Sequence, residues 1–285
     1  MCRFVLYLGP PLTLRGLITE PSNSLIHQSF HGHERSERLN GDGFGVAWYV
    51  PELSPDAAVF RSVSPAWNNR NLQELARVTR SGCILAHVRA ASQGMVVTEP
   101  NCHPFTHGRY AFMHNGEVGG FTRLRRALLD TLSDEAFHAI EGTTDSEHVF
   151  ALFLDRLREI DQADPAEAMA QALLAAIRQI AGLATAAGIT EHSYLNLAVA
   201  DGCCAVVSHY TSDSARRAVG LHITTGRRYA CEAGVCRMLH PAGEHGAVIV
   251  SSEQLSDDPG WEPVPVNHLV VIHRDHTVRM MPCEV

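Results

Sequence analysis

The order of patterns along the chain predicts an α+β fold, with sheets built from both ends and helices from the middle. Three observations carry that expectation. Short alternating apolar segments open the chain, two amphipathic helical stretches fill residues 143–181, and short strand-like runs return from residue 194 onward. Strands, then helices, then strands, with few βαβ alternations, point to layered sheets.

Taken in order, residues 2–8 alternate as a strand does, and Gly9-Pro10-Pro11 closes that strand ahead of a short helical stretch at 12–18. Asn40-Gly41-Asp42-Gly43-Phe44-Gly45 is a glycine-dense loop running into a second strand at 46–49, with a hairpin partner at 58–63. Asn68 or Asn69 is placed to cap a helix carrying Leu72, Leu75, Ala76 and Val78. Residues 83–88 and 110–113 read as buried strands, joined by a loop rich in Ser, Gly, Pro and Asn. Such loops often carry functional groups. Thr143 or Thr144 caps the first middle helix, which turns Val149, Phe150, Leu152, Phe153 and Leu157 inward, and a second helix runs from Pro165 to about residue 181. The last third reads as strands at 194–200, 203–210, 219–224, 247–251, 268–273 and 276–280. No repeat, low-complexity segment or linker divides the chain, so a single domain over residues 1–285 is expected.

Composition narrows the function. With 45% apolar residues among 285, a sizeable core can form. A net charge of −8, and no cationic run denser than residues 123–126, disfavour general binding to nucleic acid. The N-terminus has no charged segment followed by a long apolar stretch, so no secretory signal or membrane span is read, and a cytoplasmic location is expected. Eight cysteines without CxxC pairs read as free thiols rather than a disulfide framework. Cys203, Cys204, Cys231, Cys236, His222 and His240 lack knuckle spacing for zinc, so core thiols and surface histidines are expected and no metal is assigned.

Chemistry starts at Cys2. A small side chain after the initiator Met permits removal of Met1, which places a thiol and a free α-amine on one residue. An α-amine with a pKa near 7.7 to 8.0 can take the thiol proton and return it to a leaving amine. Acyl transfer also needs donors for a developing oxyanion, and His114-Asn115-Gly116 at a strand end offers a side-chain amide and an unhindered backbone N–H, although Asn-Gly is more often a plain turn. Arg89, ending the strand Ala86-His87-Val88-Arg89, is able to grip a carboxylate through two parallel hydrogen bonds. Asp145 could pair with an ammonium, or serve its helix as an acidic first-turn residue.

In this order the segments MCRF (1–4), NGDGFGVAWY (40–49), AHVRAAS (86–92), NCHPF (101–105), FMHNG (112–116) and TTDSE (143–147) resemble the class II glutamine amidotransferases, whose glutaminase domain is an N-terminal-nucleophile hydrolase. SLIHQSF (24–30), SPAWNN (64–69) and FALFLDRL (150–157) are similar to the stand-alone branch with the YafJ-type proteins and the amidotransferase-like component of fungal glutathione degradation. The resemblance covers roughly the first 160 residues and is vaguer beyond.

The resemblance implies a four-layer αββα sandwich, one type-2 amidotransferase domain, and no cofactor. It makes Cys2 the nucleophile, Asn115 and Gly116 the oxyanion hole, Arg89 the ligand of the substrate α-carboxylate, Asp145 the ligand of its α-ammonium, and Ser92 an assistant of Arg89. Where the family has Arg-Tyr, this chain has Arg89-Ala90, so the contact of that ring is lost or replaced. Loop 90–100, with Gly94, matches the segment that closes over glutamine. Asp42 shapes the floor near Cys2, and His87, His103 and His114 take supporting roles. The implied activity is cleavage of γ-glutamyl amides, such as glutamine or a thiol conjugate like glutathione. The alternatives are a glutaminase subunit that delivers ammonia to a separate synthase and a non-catalytic regulatory subunit. No phosphate loop of the GxxxxGK[ST] type and no GxGxxG occurs, so an acceptor site is not read in this chain. A synthase or peptidase subunit and a homo-oligomer are compatible partners; nucleic acid and membrane are not expected ones.

Overall fold

Alternation along the first strand decides the architecture. In β1 (Arg3–Thr13), Phe4, Leu6 and Leu8 share one face and Val5 and Tyr7 the other, and all five are buried. Both faces therefore need an apolar cover. The computed structural model describes residues 2–32, 39–91, 96–213, 215, 220–232, 235–239 and 246–285.

The chain continues through α1 (Leu14–Ile18), α2 (Leu25–Phe30), β2 (Phe44–Val50), β3 (Ser54–Ser62), α3 (Arg70–Val78), β4 (Arg80–Val88), β5 (Phe105–His107) and β6 (Tyr110–Glu117). Four helices follow: α4 (Phe121–Leu129), α5 (Asp134–His138), α6 (Asp145–Arg158) and α7 (Pro165–Ala186). The remainder is β7 (Tyr194–Ala200), β8 (Ala205–Thr211), β9 (His222–Gly226), β10 (Arg228–Glu232), β11 (Val235–Leu239), β12 (Ala247–Ser251), β13 (Glu262–Pro263), β14 (His268–Ile272) and β15 (Val278–Pro282).

The first large sheet has the order β13-β9-β12-β1-β4-β2-β3, the second β15-β14-β8-β7-β6-β5, and β10-β11 form a separate two-stranded sheet, with antiparallel pairing throughout. Phe4, Leu6, Leu8 and Leu85 of the first meet Ala111, Met113, Ala198 and Val207 of the second in an inner core. On the outer face of the first sheet, Val5, Tyr7 and Ile84 pack under Leu14, Leu17, Leu25 and Leu72 of α1, α2 and α3. On the outer face of the second, Phe112, Leu197 and Val199 pack under α4, α6 and α7. This is the expected αββα order of layers, and each fully buried Leu or Phe contributes roughly 1.5 to 3 kcal/mol of transfer free energy to it.

Caps fix the helices. Asn69 accepts from Leu72 N ahead of α3, Thr144 from Glu147 N ahead of α6, and Asp164 from Ala166 N and Glu167 N ahead of α7, where Pro165 takes the first turn. By length and composition α7 is apolar enough to cross a membrane, and its Met169, Leu173, Ile177 and Ile180 are buried in the outer core.

Three expectations need correction. Gly9-Pro10-Pro11 does not close β1: the ladder to β4 skips between Leu8 and Leu12 and resumes at Leu12↔Ser81, because prolines tolerate a bulge where no N–H is required. The first helix accordingly starts at Leu14, after Thr13 caps it. Residues 114–116 end a strand, as read from the sequence: they close β6 and pair with β7. Lastly, Cys231 and Cys236 are not free thiols: they stand opposite each other in the β10–β11 hairpin and form a disulfide.

Candidate active site

β1 lies between β12 and β4, and its register with β4 (Arg3↔Val88) sets Cys2 beside the end of β4. By alternation the Cys2 side chain shares the inner face with Phe4 and Leu6, and its Sγ lies 3.6 Å from the Ala90 carbonyl oxygen. Burial pushes the thiol pKa up, while the cations of Arg89 and Arg3 pull against it. A thiol in that condition needs a base to become a nucleophile.

The loop before β2 locks the strand end from which Arg89 and Ala90 project. Asp42 N donates to Arg89 O (3.0 Å), Arg89 N to Gly43 O (2.8 Å), and Ala91 N to Asp42 Oδ2 (2.8 Å). Gly43 has φ +114°, and a Cβ there would sit 2.6 Å from Cys102 Sγ, so this close crossing requires glycine. Asp42 thus clamps the backbone of residues 89–91.

Arg89 is only 3% exposed, yet its guanidinium reaches just the Val96 carbonyl, at 3.4 and 3.5 Å, and no carboxylate pairs with it among the described residues. Asn101 holds that same carbonyl with Nδ2 (3.0 Å) and receives Thr143 N on Oδ1 (2.9 Å). Arg89 is therefore tied through Asn101 to the start of α6. There Asp145, half-buried, accepts from Val118 N (2.8 Å) and Ser146 N (2.8 Å), which fixes its carboxylate with acceptor capacity remaining.

Across the gap, β6 places Asn115 on the inner face with Ala111 and Met113. Its Nδ2 donates to Ser252 Oγ (3.0 Å), which also accepts Phe4 N (3.0 Å), so one hydroxyl links the Asn115 amide to the backbone two residues after the thiol. One N–H of Nδ2 is left for another acceptor, and Oδ1 is buried without a partner. Gly116 follows, and a Cβ there would lie 1.8 Å from Tyr194 O, so only glycine lets β7 come this close.

His114 points to the other face, where Nε2 donates to Tyr194 O (3.0 Å) and Ser146 Oγ closes on Nδ1 (2.9 Å), joining β6 to α6. His87 donates Nε2–H to His114 O (3.1 Å) across the two sheets and stacks on His103 with centroids 4.2 Å apart. Burial lowers the pKa of His87 to about 3 and that of His103 well below its ordinary value. Both rings are uncharged near neutrality, which suits supporting roles rather than proton exchange.

Cys2, Asp42, Arg89, His87, His103, Asn115, Gly116 and Asp145 thus gather at one end of the sandwich. Ser92, Gly94 and Met1 lie outside the described residues. Asn101, Ser252 and Glu253, whose carboxylate holds Arg3 beside the thiol, were not singled out from the sequence. The one signal for the last two was a polar Ser251-Ser252-Glu253 run closing an apolar strand.

The sequence profile of the family described as "Glutamine amidotransferases class-II" matches residues 16–284. The chain is 39% identical to the "Probable glutamine amidotransferase DUG3" of Saccharomyces cerevisiae, over 99% of this chain and 84% of that one. It is 29% identical to a "Gamma-glutamyl-hercynylcysteine sulfoxide hydrolase" of Mycolicibacterium smegmatis, over 98% of each. Among solved structures, a glutamine aminotransferase class-II domain protein from Silicibacter pomeroyi superposes over 100% of both chains, with a TM-score of 0.68 and 29% identity. An allosteric regulatory enzyme of purine biosynthesis shares the fold with a TM-score of 0.63 at 13% identity, over 99% of this chain and 49% of that one.

Proposed function

The chain belongs to the class II glutamine amidotransferases, and on that premise we propose that it is an amidohydrolase cleaving γ-glutamyl amides through Cys2. The buried guanidinium of Arg89, without a carboxylate partner among the described residues and close enough to the thiol to act on its titration, carries this reading. Sealing a cation from water costs several kcal/mol unless an anion offsets it, and a substrate α-carboxylate is such an anion. Asp145, on the far side of Asn101, takes the α-ammonium of the same substrate, so both ends of a glutamyl head group are held and its γ-carbonyl is left to Cys2. Ser92 assists Arg89.

In this mechanism removal of Met1 frees the α-amine of Cys2, which accepts the thiol proton. Sγ attacks the γ-carbonyl carbon, and the remaining N–H of Asn115 with the backbone N–H of Gly116 stabilise the oxyanion. The C–N bond breaks as the protonated amine hands its proton to the leaving nitrogen, and water then cleaves the γ-glutamyl thioester to glutamate. Full-length similarity to a relative named a γ-glutamyl hydrolase favours release of the amine to solvent over its transfer to a synthase.

The test is glutamate release from a panel containing glutamine, glutathione and other γ-glutamyl thiol conjugates, ranked by kcat/KM, with the mass of the mature N-terminus measured on the same preparation. Cys2→Ala is expected to lower turnover by roughly 10⁴-fold or more while leaving the fold intact. Undiminished turnover in that variant, or active protein that retains Met1, would overturn the proposal.

A further inference from the structure

Away from the site, the β10–β11 hairpin packs on the outer face of the first sheet, where Tyr229, Cys236 and Met238 join the core beneath α1. Cys231 and Cys236 are directly opposite in its ladder, and a carboxylate oxygen of Glu20, just after α1, lies within 4.8 Å of both sulfurs. The Gly16 carbonyl oxygen is 3.1 Å from Cys231 Sγ. Glu20 Oε1 pairs with Arg15 at 3.0 Å, which leaves Oε2 for another partner.

A second observation comes from the same face of the hairpin. Tyr229 Oη, two residues from Cys231, and Asp258 Oδ2 are both buried without a hydrogen-bond partner among the described residues. Two sulfurs and a carboxylate therefore converge, and the hairpin beside them carries a buried hydroxyl oxygen that no donor among the described residues satisfies. Orphaned oxygens of this kind are costly in an apolar setting and are satisfied by a cation.

We propose that, once reduced, Cys231 and Cys236 join Glu20 in binding a thiophilic divalent cation of the zinc type at the junction of hairpin and α1. A dithiol reductant supplies two electrons and two protons, breaking the S–S bond and becoming a cyclic disulfide itself. Each freed thiol then gives up its proton as its sulfur bonds the metal. In a tetrahedral site with bonds of about 2.3 Å the two sulfurs stand about 3.8 Å apart, a separation that side chains on opposed strand positions span. The proposal is independent of the glutamyl chemistry above.

Cobalt(II) titrated into the full-length, dithiol-reduced and desalted protein is the test. One equivalent should bind with thiolate-to-metal charge-transfer absorption, lost in Cys231→Ser and in Cys236→Ser, with affinity lowered at least tenfold in Glu20→Gln. Should a cysteine variant fail to fold, the native mass of the wild type with zinc, before and after a chelator, decides the matter. Absorption that survives in the Cys231→Ser/Cys236→Ser variant, a wild-type mass that never carries one zinc, or a pair that stays oxidised in the folded protein under the reductant would each overturn the proposal.

Discussion

Two arginines stand at the ends of neighbouring strands, both nearly sealed from solvent, in opposite circumstances. Arg3 of β1 donates from Nε to the Glu253 carboxylate at 2.7 Å and from Nη1 to the Cys2 carbonyl at 3.0 Å. Arg89, just past β4, has only a distant carbonyl among the described residues. A buried cation whose counter-ion is built into the chain is structural, and one whose counter-ion is not has the character of a receptor. On the proposed reading, the pair separates what holds the nucleophile in place from what holds the substrate.

The largest expected effect falls on the Arg3 side. Glu253→Gln leaves a fully buried guanidinium without its carboxylate and should lower unfolding free energy by about 3 to 5 kcal/mol, read from urea midpoints at constant m-value. A loss near zero would break the comparison. Asn115→Ala should leave stability largely intact and lower kcat by about 10² to 10³ in steady-state assays, as for removal of one oxyanion donor. If kcat instead holds, Asn115 serves only the Ser252 bridge.

On the Arg89 side, Arg89→Lys should raise KM for glutamine about tenfold or more, because a point charge cannot reproduce a forked contact. An unchanged KM would remove Arg89 from the carboxylate site. The smallest effect is graded. His87 has its pKa lowered to about 3 by burial, so below about pH 6.5 the unfolded chain takes up a proton that the folded chain refuses until near pH 3. Stability should fall through that window by up to about 1.4 kcal/mol per pH unit from this group, and His87→Gln should flatten the slope. Equal slopes in both proteins would exclude His87 as a source.

Much of this was legible from local pattern. The alternation of residues 3–8, Asn69, Thr144 and the Asp164-Pro165 start of the long helix are read within a few residues, and so were recovered. The short elements α2, α5, β5 and β13 went unread because each has too few residues to establish a period, and α4, as long as α3, went unread because its start at Gly120 has no side-chain cap. β10 and β11 were missed because Tyr229, Cys231, Cys236 and Met238 show their common face only when the two strands are paired. The site residues came from motif order. Glu253 did not, because its partner is 250 residues away and no local rule joins them.

The register of β1 has a consequence for how this protein tolerates changes in length. A single residue inserted or deleted among positions 3–8 would send the sulfur toward the helices and the Arg3 cation into the apolar gap between the sheets, with β12 and β4 fixing the strand on both sides. The exposed start of β3, on the sheet edge, is held by β2 on one side alone. Variants of differing loop length should therefore be recoverable at the β2–β3 tip and never within the opening strand.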